Sequence, residues 1–104
     1  MKLLKIIFFI ILISSNLFAN TDYFNEGLVL YEKNNLDKAK FKFEQDLVFN
    51  PKNEEATYNL AQLRLKESDF EGSKQLIEKL LIFCKNYCQK SKKLKIEIEN
   101  SLKK

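Results

Sequence analysis

The chain has 104 residues, 18 basic and 14 acidic, with two glycines, two cysteines and no histidine. Its length holds one small domain once any leader is set aside. Without histidine the commonest general base and metal ligand are missing, and a serine or cysteine nucleophile has no imidazole to activate it. Two glycines cannot build a phosphate-cradling loop, so the chain reads as a non-enzyme with no catalytic residue, no metal site and no cofactor.

Residues 1–19 have the order of a secretory signal peptide. Lys2 and Lys5 precede the unbroken apolar run Ile6–Ile13, and a more polar stretch ends at Ala19, the expected cleavage point. Leu17 stands where a small residue is usual. The alternative is an uncleaved membrane anchor, but the run between Lys5 and Ser14 is far shorter than the roughly 20 apolar residues that span a bilayer. Export to the periplasm is therefore expected. Without Lys2 and Lys5 the chain carries 16 basic and 14 acidic residues, unevenly placed. Residues 20–84 have nine basic and twelve acidic, residues 85–104 seven and two. A basic tail suits nucleic acid or anionic lipid. Export argues against nucleic acid, and Glu97 and Glu99 interrupt the run, so the tail reads as a solvated helix face, with a weak membrane-surface contact as the lesser reading.

A first helix is expected from a cap at Thr21 or Asp22 to about Lys33, because Tyr23, Phe24, Leu28 and Tyr31 recur at helical spacing. Asn34-Asn35 signals a turn. The second helix runs from about Asp37 to Phe49, with Ala39, Phe41, Phe43 and Leu47 expected on its inward side. Asn50-Pro51 ends it, since the residue before proline disfavours the α region. Asn53 is a good N-cap for a third helix over 54–67, and Glu54-Glu55 suit the positive end of its dipole. Ser68-Asp69 is the next turn, and a fourth helix over 70–83 buries Leu76, Ile77, Leu80 and Leu81. Gly72 is expected to loosen its start, at about 1 kcal/mol relative to alanine. A fifth helix over 88–102 has a narrow stripe of Leu94, Ile98 and Leu102. No run reads as a strand, so the fold class is all-α.

The elements repeat with a stride of 34 residues: Gly27 falls on Ala61, Leu36 on Phe70, Ala39 on Ser73, Phe43 on Ile77, Leu47 on Leu81 and Phe49 on Phe83. A period of this size signals stacked helical hairpins. The residues resemble the tetratricopeptide repeat. Tyr23, Gly27, Ala39, Phe43 and Pro51 stand at its aromatic, glycine, alanine, phenylalanine and proline positions, and Leu60-Ala61, Ser73 and Ile77 repeat part of the pattern. Thr57, Arg64 and Lys85 depart from it, and Asp46 stands where a small apolar residue is usual. The resemblance implies a short right-handed solenoid of five helices: repeats over 20–53 and 54–87, then a capping helix over 88–104. Two repeats are short for such a stack, which points to a partner or to self-association.

The resemblance also implies that the first helix of each hairpin lines a concave groove for a peptide or helix of a partner protein. The positions carried over are Phe24, Leu28, Tyr31 and Glu32 from the first repeat and Glu55, Tyr58, Asn59, Gln62, Leu65 and Lys66 from the second, to which the capping helix adds Gln89, Lys92 and Ile96; Phe24, Leu28, Tyr31, Tyr58, Asn59, Gln62 and Leu65 are the leading set. The carboxylate clamp of some family members needs a lysine and an asparagine where Phe24 and Leu28 stand; the strip suits an apolar segment instead.

Cys84 and Cys88 bracket the junction before the fifth helix. An oxidising compartment favours a disulfide, and this spacing brings two Cα atoms to about 6 Å. The leading reading is a staple; a thiol-redox pair serving envelope or cytochrome assembly and a two-thiolate metal or haem site are the rivals, although a closed zinc site needs four ligands.

Overall fold

In the computed structural model the described residues, 22–103, form five helices: α1 Tyr23–Glu32, α2 Leu36–Phe49, α3 Glu54–Lys66, α4 Phe70–Phe83 and α5 Cys88–Leu102, with no strand among them. The signal peptide expected over residues 1–19, its cleavage near Ala19 and a cap at Thr21 lie outside the described residues.

Three of the five helix starts fall where a side chain satisfies an orphan N–H; Asn35 before α2 and Tyr87 before α5 give no such bond. Asp22 accepts from the N–H of Asn25 at 3.1 Å, Asn53 from Ala56 at 3.2 Å and Asp69 from Gly72 at 3.0 Å. Gly72 makes room for the cap of α4, because a Cβ there would collide with the Asp69 carboxylate.

The two hairpin turns are copies of each other. Asn34 N–H donates to Tyr31 O at 3.0 Å and Asn35 N–H to Leu30 O at 2.9 Å. The same bonds recur one stride later, from Ser68 to Leu65 O at 3.0 Å and from Asp69 to Arg64 O at 2.8 Å. This pairing is the Schellman C-cap, which needs a left-handed residue after the helix; Asn34 and Ser68 fill that place at φ 61° and 63°. The loops over 50–53 and 84–87 keep the same spacing, so α5 begins where a third hairpin would.

Neighbouring helices pack antiparallel, most closely within α1/α2 and α3/α4. The Tyr23 ring at the start of α1 stacks on Phe49 at the end of α2, centroids 5.9 Å apart. Gly27 lies so close to α2 that a Cβ would come within 2.7 Å of Phe43 Cε1. In the second hairpin the place of Ala39 is taken by Ser73, whose hydroxyl donates to Ala61 O at 2.7 Å. One buried cluster joins Ala39 and Phe43 to Ala56, Leu60 and Leu63; another joins Ala61 to Ile77, Leu80, Leu94 and Ile98. α3 thus serves both layers, and Leu76 packs against each.

Two positions, Phe41 and Leu102, differ from expectation, and at a third, Asp46, the structure shows what the carboxylate reaches. Phe41 is 56% exposed: at 100° per residue it lies about 200° from Ala39, on the opposite side of α2. In α5 the inner line is Ser91, Leu94 and Ile98, while Leu102 in the last turn is exposed. Asp46 is buried, yet both carboxylate oxygens are bonded, accepting from Asn50 Nδ2 at 2.9 Å and Asn53 Nδ2 at 2.8 Å. A buried carboxylate is tolerable when so paired, and here it ties the end of α2 to the loop that launches α3.

Candidate functional site: an aromatic strip and a latched junction

Two features gather side chains or backbone groups into more than core packing. The first is the strip named from the resemblance. Phe24 and Tyr31 of α1 are half-buried, their rings 6.2 Å and 6.4 Å from that of Phe43. Leu28 is half-buried against the same cluster; Tyr58 and Leu65 of α3 are half-buried against the second. Each of these side chains therefore spends part of its apolar surface on the core and keeps part in solvent.

Contacts run along the strip. Lys66 Nζ sits 5.0 Å from the Tyr31 ring centroid and donates to its hydroxyl at 3.4 Å, bringing α1 and α3 together. Gln62 Nε2 donates to the Tyr58 hydroxyl at 3.4 Å, and the Tyr58 ring lies 5.4 Å from Tyr87. Burial, reinforced by the charge of Glu97, raises the pKa of the Tyr58 phenol; burial and then Glu55 do the same for Tyr87. Both hydroxyls stay protonated through neutral pH and offer a donor. Asn59 is half-buried, and Glu32, Gln89, Lys92 and Ile96 are exposed.

The second feature is the junction over 84–87. Cys84 and Cys88 are joined as a disulfide with Cα atoms 5.4 Å apart, and no free cysteine is present. Cys84 caps α4 with its N–H on Leu80 O at 2.8 Å, and Cys88 opens α5. Between them Lys85, Asn86 and Tyr87 point successive N–H groups at one atom, Glu54 Oε1, at 2.7, 3.0 and 3.1 Å. Such a concave run of N–H groups is an anion-binding nest, and a carboxylate of the chain itself fills it. The Lys85 N–H foremost, then those of Tyr87 and Asn86, hold Glu54 below its ordinary pKa against the opposing effect of burial.

Helix-start chemistry alone does not describe Glu54: it opens α3 and also latches the α4–α5 junction. A signal for this was present in the sequence. Tyr87 stands where Asn53 caps α3, and a tyrosine forms no side-chain cap, so the junction's N–H groups needed an acceptor from elsewhere. Among the described residues no group of three or more acidic, cysteine or histidine side chains could hold a metal ion. No protein-family model matches the chain, and no curated protein is significantly similar to it.

Proposed function

We propose that this chain is an exported, periplasmic, non-catalytic adaptor of tetratricopeptide type, which holds an apolar peptide or helix of a partner protein against the face formed by α1 and α3. The observation that carries this reading is the 34-residue identity of the two hairpin turns, in both hydrogen bonds and left-handed φ. That spacing supports the family's architecture, in which first helices line the groove and Phe24, Leu28, Tyr31, Tyr58, Asn59, Gln62 and Leu65 fall on it. Half-exposed aromatic rings already anchored on one side lose little side-chain entropy when a ligand covers the other, which is why they serve as binding anchors.

The Cys84–Cys88 bond closes the junction from which α5 hangs, and the Glu54 latch reinforces the same place. Both support a structural staple in preference to a thiol-redox or envelope-assembly role.

Capture from an envelope extract on the immobilised mature protein, compared with a Tyr58→Ala variant, tests the adaptor reading. Loss of about 1.4 kcal/mol of binding, or about tenfold in affinity, with an unchanged far-ultraviolet spectrum is expected. Equal capture by the two proteins would remove Tyr58 from the site, and equal capture by Phe24→Ala as well would remove the groove.

A further inference from the structure

The interface that holds α5 has a weak first turn. Only two large apolar side chains of this helix, Leu94 and Ile98, are buried, and the third member of its inner line is Ser91. The Ser91 hydroxyl is fully buried and has no hydrogen-bond partner, so it loses solvation without recovering a bond. Its counterpart one stride earlier, Thr57, donates to Asn53 O at 2.9 Å. The start of α5 has neither a side-chain cap nor an acidic residue in its first turn. The helix packs against α4 and meets α3 through Ala61 and the Tyr58–Tyr87 pair, while Gln89, Lys92 and Ile96 on its other side are exposed. A free helix of 15 residues is marginal in water, so α5 depends on that one interface and on the junction before it.

The Cys84–Cys88 bond spans the junction, and neither cysteine is buried. The two sulfurs are unlike. Cys88 opens α5, where the positive end of the helix dipole favours a thiolate. Lys85 and Lys90 add to that effect; Glu54 and Glu55 oppose it, Glu54 with a carboxylate already given to three N–H groups. Cys84 Sγ lies 3.8 Å from Leu81 O, an acceptor for a thiol proton. Cys88 is thus the better leaving group and Cys84 the sulfur to be attacked.

We propose that the Cys84–Cys88 bond is a redox-sensitive strap on α5: intact, it keeps the helix docked, and cut by a dithiol, it lets the helix come away from Ala61, Ile77 and Leu80. A thiolate of the dithiol attacks Cys84 Sγ, the S–S bond breaks, and its electron pair leaves on Cys88. The second sulfur of the dithiol then displaces Cys84, which takes the proton, and the dithiol departs as its own disulfide. Two electrons pass to the chain, which hands them to nothing else, so the strap is a staple that opens and not a thiol-redox catalyst. Release of α5 also separates Tyr87 from Tyr58, but the strap does not depend on what the face of α1 and α3 holds.

Amide exchange in the full chain, oxidised and then reduced by excess dithiothreitol with thiols counted, tests the strap. Loss of a bridge this short is expected to raise the open population of α5 about thirtyfold. The readout is faster exchange at the Leu94 and Ile98 amides, unchanged exchange at Phe43 and Leu63, and recovery on reoxidation. A double variant with Cys84→Ser and Cys88→Ser should show the fast exchange with or without dithiothreitol. Ser91→Ala, which removes the unpartnered hydroxyl, should restore part of the slow exchange to the reduced chain. Exchange in α5 that complete reduction leaves unmoved overturns the proposal. So does equal acceleration at Phe43 and Leu63, which would make the bond a staple of the whole fold, and so does a pair that dithiothreitol fails to reduce in the folded chain.

Discussion

Ser68 and Asn34 hold one backbone conformation with unequal ease. A left-handed φ presses Cβ against the following carbonyl, a strain that asparagine relieves better than serine and glycine avoids. Ser68→Gly is therefore expected to stabilise the protein by about 0.5–1 kcal/mol, after allowing for the greater freedom of glycine in the unfolded chain. Urea unfolding measures it; an unchanged or lowered midpoint would show that the turn carries no strain. Asp46 teaches the complementary lesson. Its identity announced a departure from the repeat, but only the neighbouring Asn50 and Asn53 amides explain how a buried carboxylate is kept there. Side-chain partners that meet across a loop leave no periodic trace in the sequence.

At the scale of elements, the two inter-repeat junctions keep one length and one place in the stride by different chemistry. The first uses a proline, an asparagine cap and the Asp46 carboxylate; the second uses the Cys84–Cys88 bond and the Glu54 latch. Closing so small a loop is worth about 2 kcal/mol in the chain-entropy model, so the latch is a substantial share of what orients α5. Its pH dependence has a definite sign. Glu54 and Asp69 both have lowered pKa values, Glu54 through the junction N–H groups and Asp69 through the Gly72 N–H and then Arg64. Each binds a proton more weakly folded than unfolded, so stability is full above the ordinary carboxylate range and falls as pH drops through the lowered values. Glu54→Gln should flatten that acid limb in urea titrations and speed amide exchange at Lys85, Asn86 and Tyr87 while leaving Asn34 and Asn35 protected. Unaltered exchange at the junction would mean that the disulfide alone holds it.

For the whole molecule the decisive element is α3, because its buried residues divide between two clusters that neither hairpin could close alone. A repeat stack is stabilised by nearest-neighbour interfaces, so damage at its end propagates inward only as far as the layers are coupled. Ile98 is fully buried on the far side of α5 from solvent. Ile98→Ala is expected to cost about 2–5 kcal/mol. Because α3 and Leu76 join the layers, loss of α1/α2 signal should coincide with loss of α5 signal in thermal unfolding followed by site-resolved NMR. Separate transitions would show that the first hairpin stands without its neighbour.

The sequence by itself determined the five helices, their turns and the 34-residue register, because helical periodicity, caps and turn residues act within a few positions of one another. It also marked Cys84 and Cys88 as a pair, since four residues of separation leave little choice of geometry. Tertiary structure decided what depends on distant partners or on rotation about a helix axis. Phe43 is buried and Phe41 exposed because two residues turn a helix by about 200°. Phe24 and Tyr31 are shared between core and surface because α1, α2 and α3 meet beside them, and Tyr58 because α3 meets α4 and α5. Glu54 reaches the N–H groups of a loop more than thirty residues away because the repeat brings the start of α3 beside the start of α5.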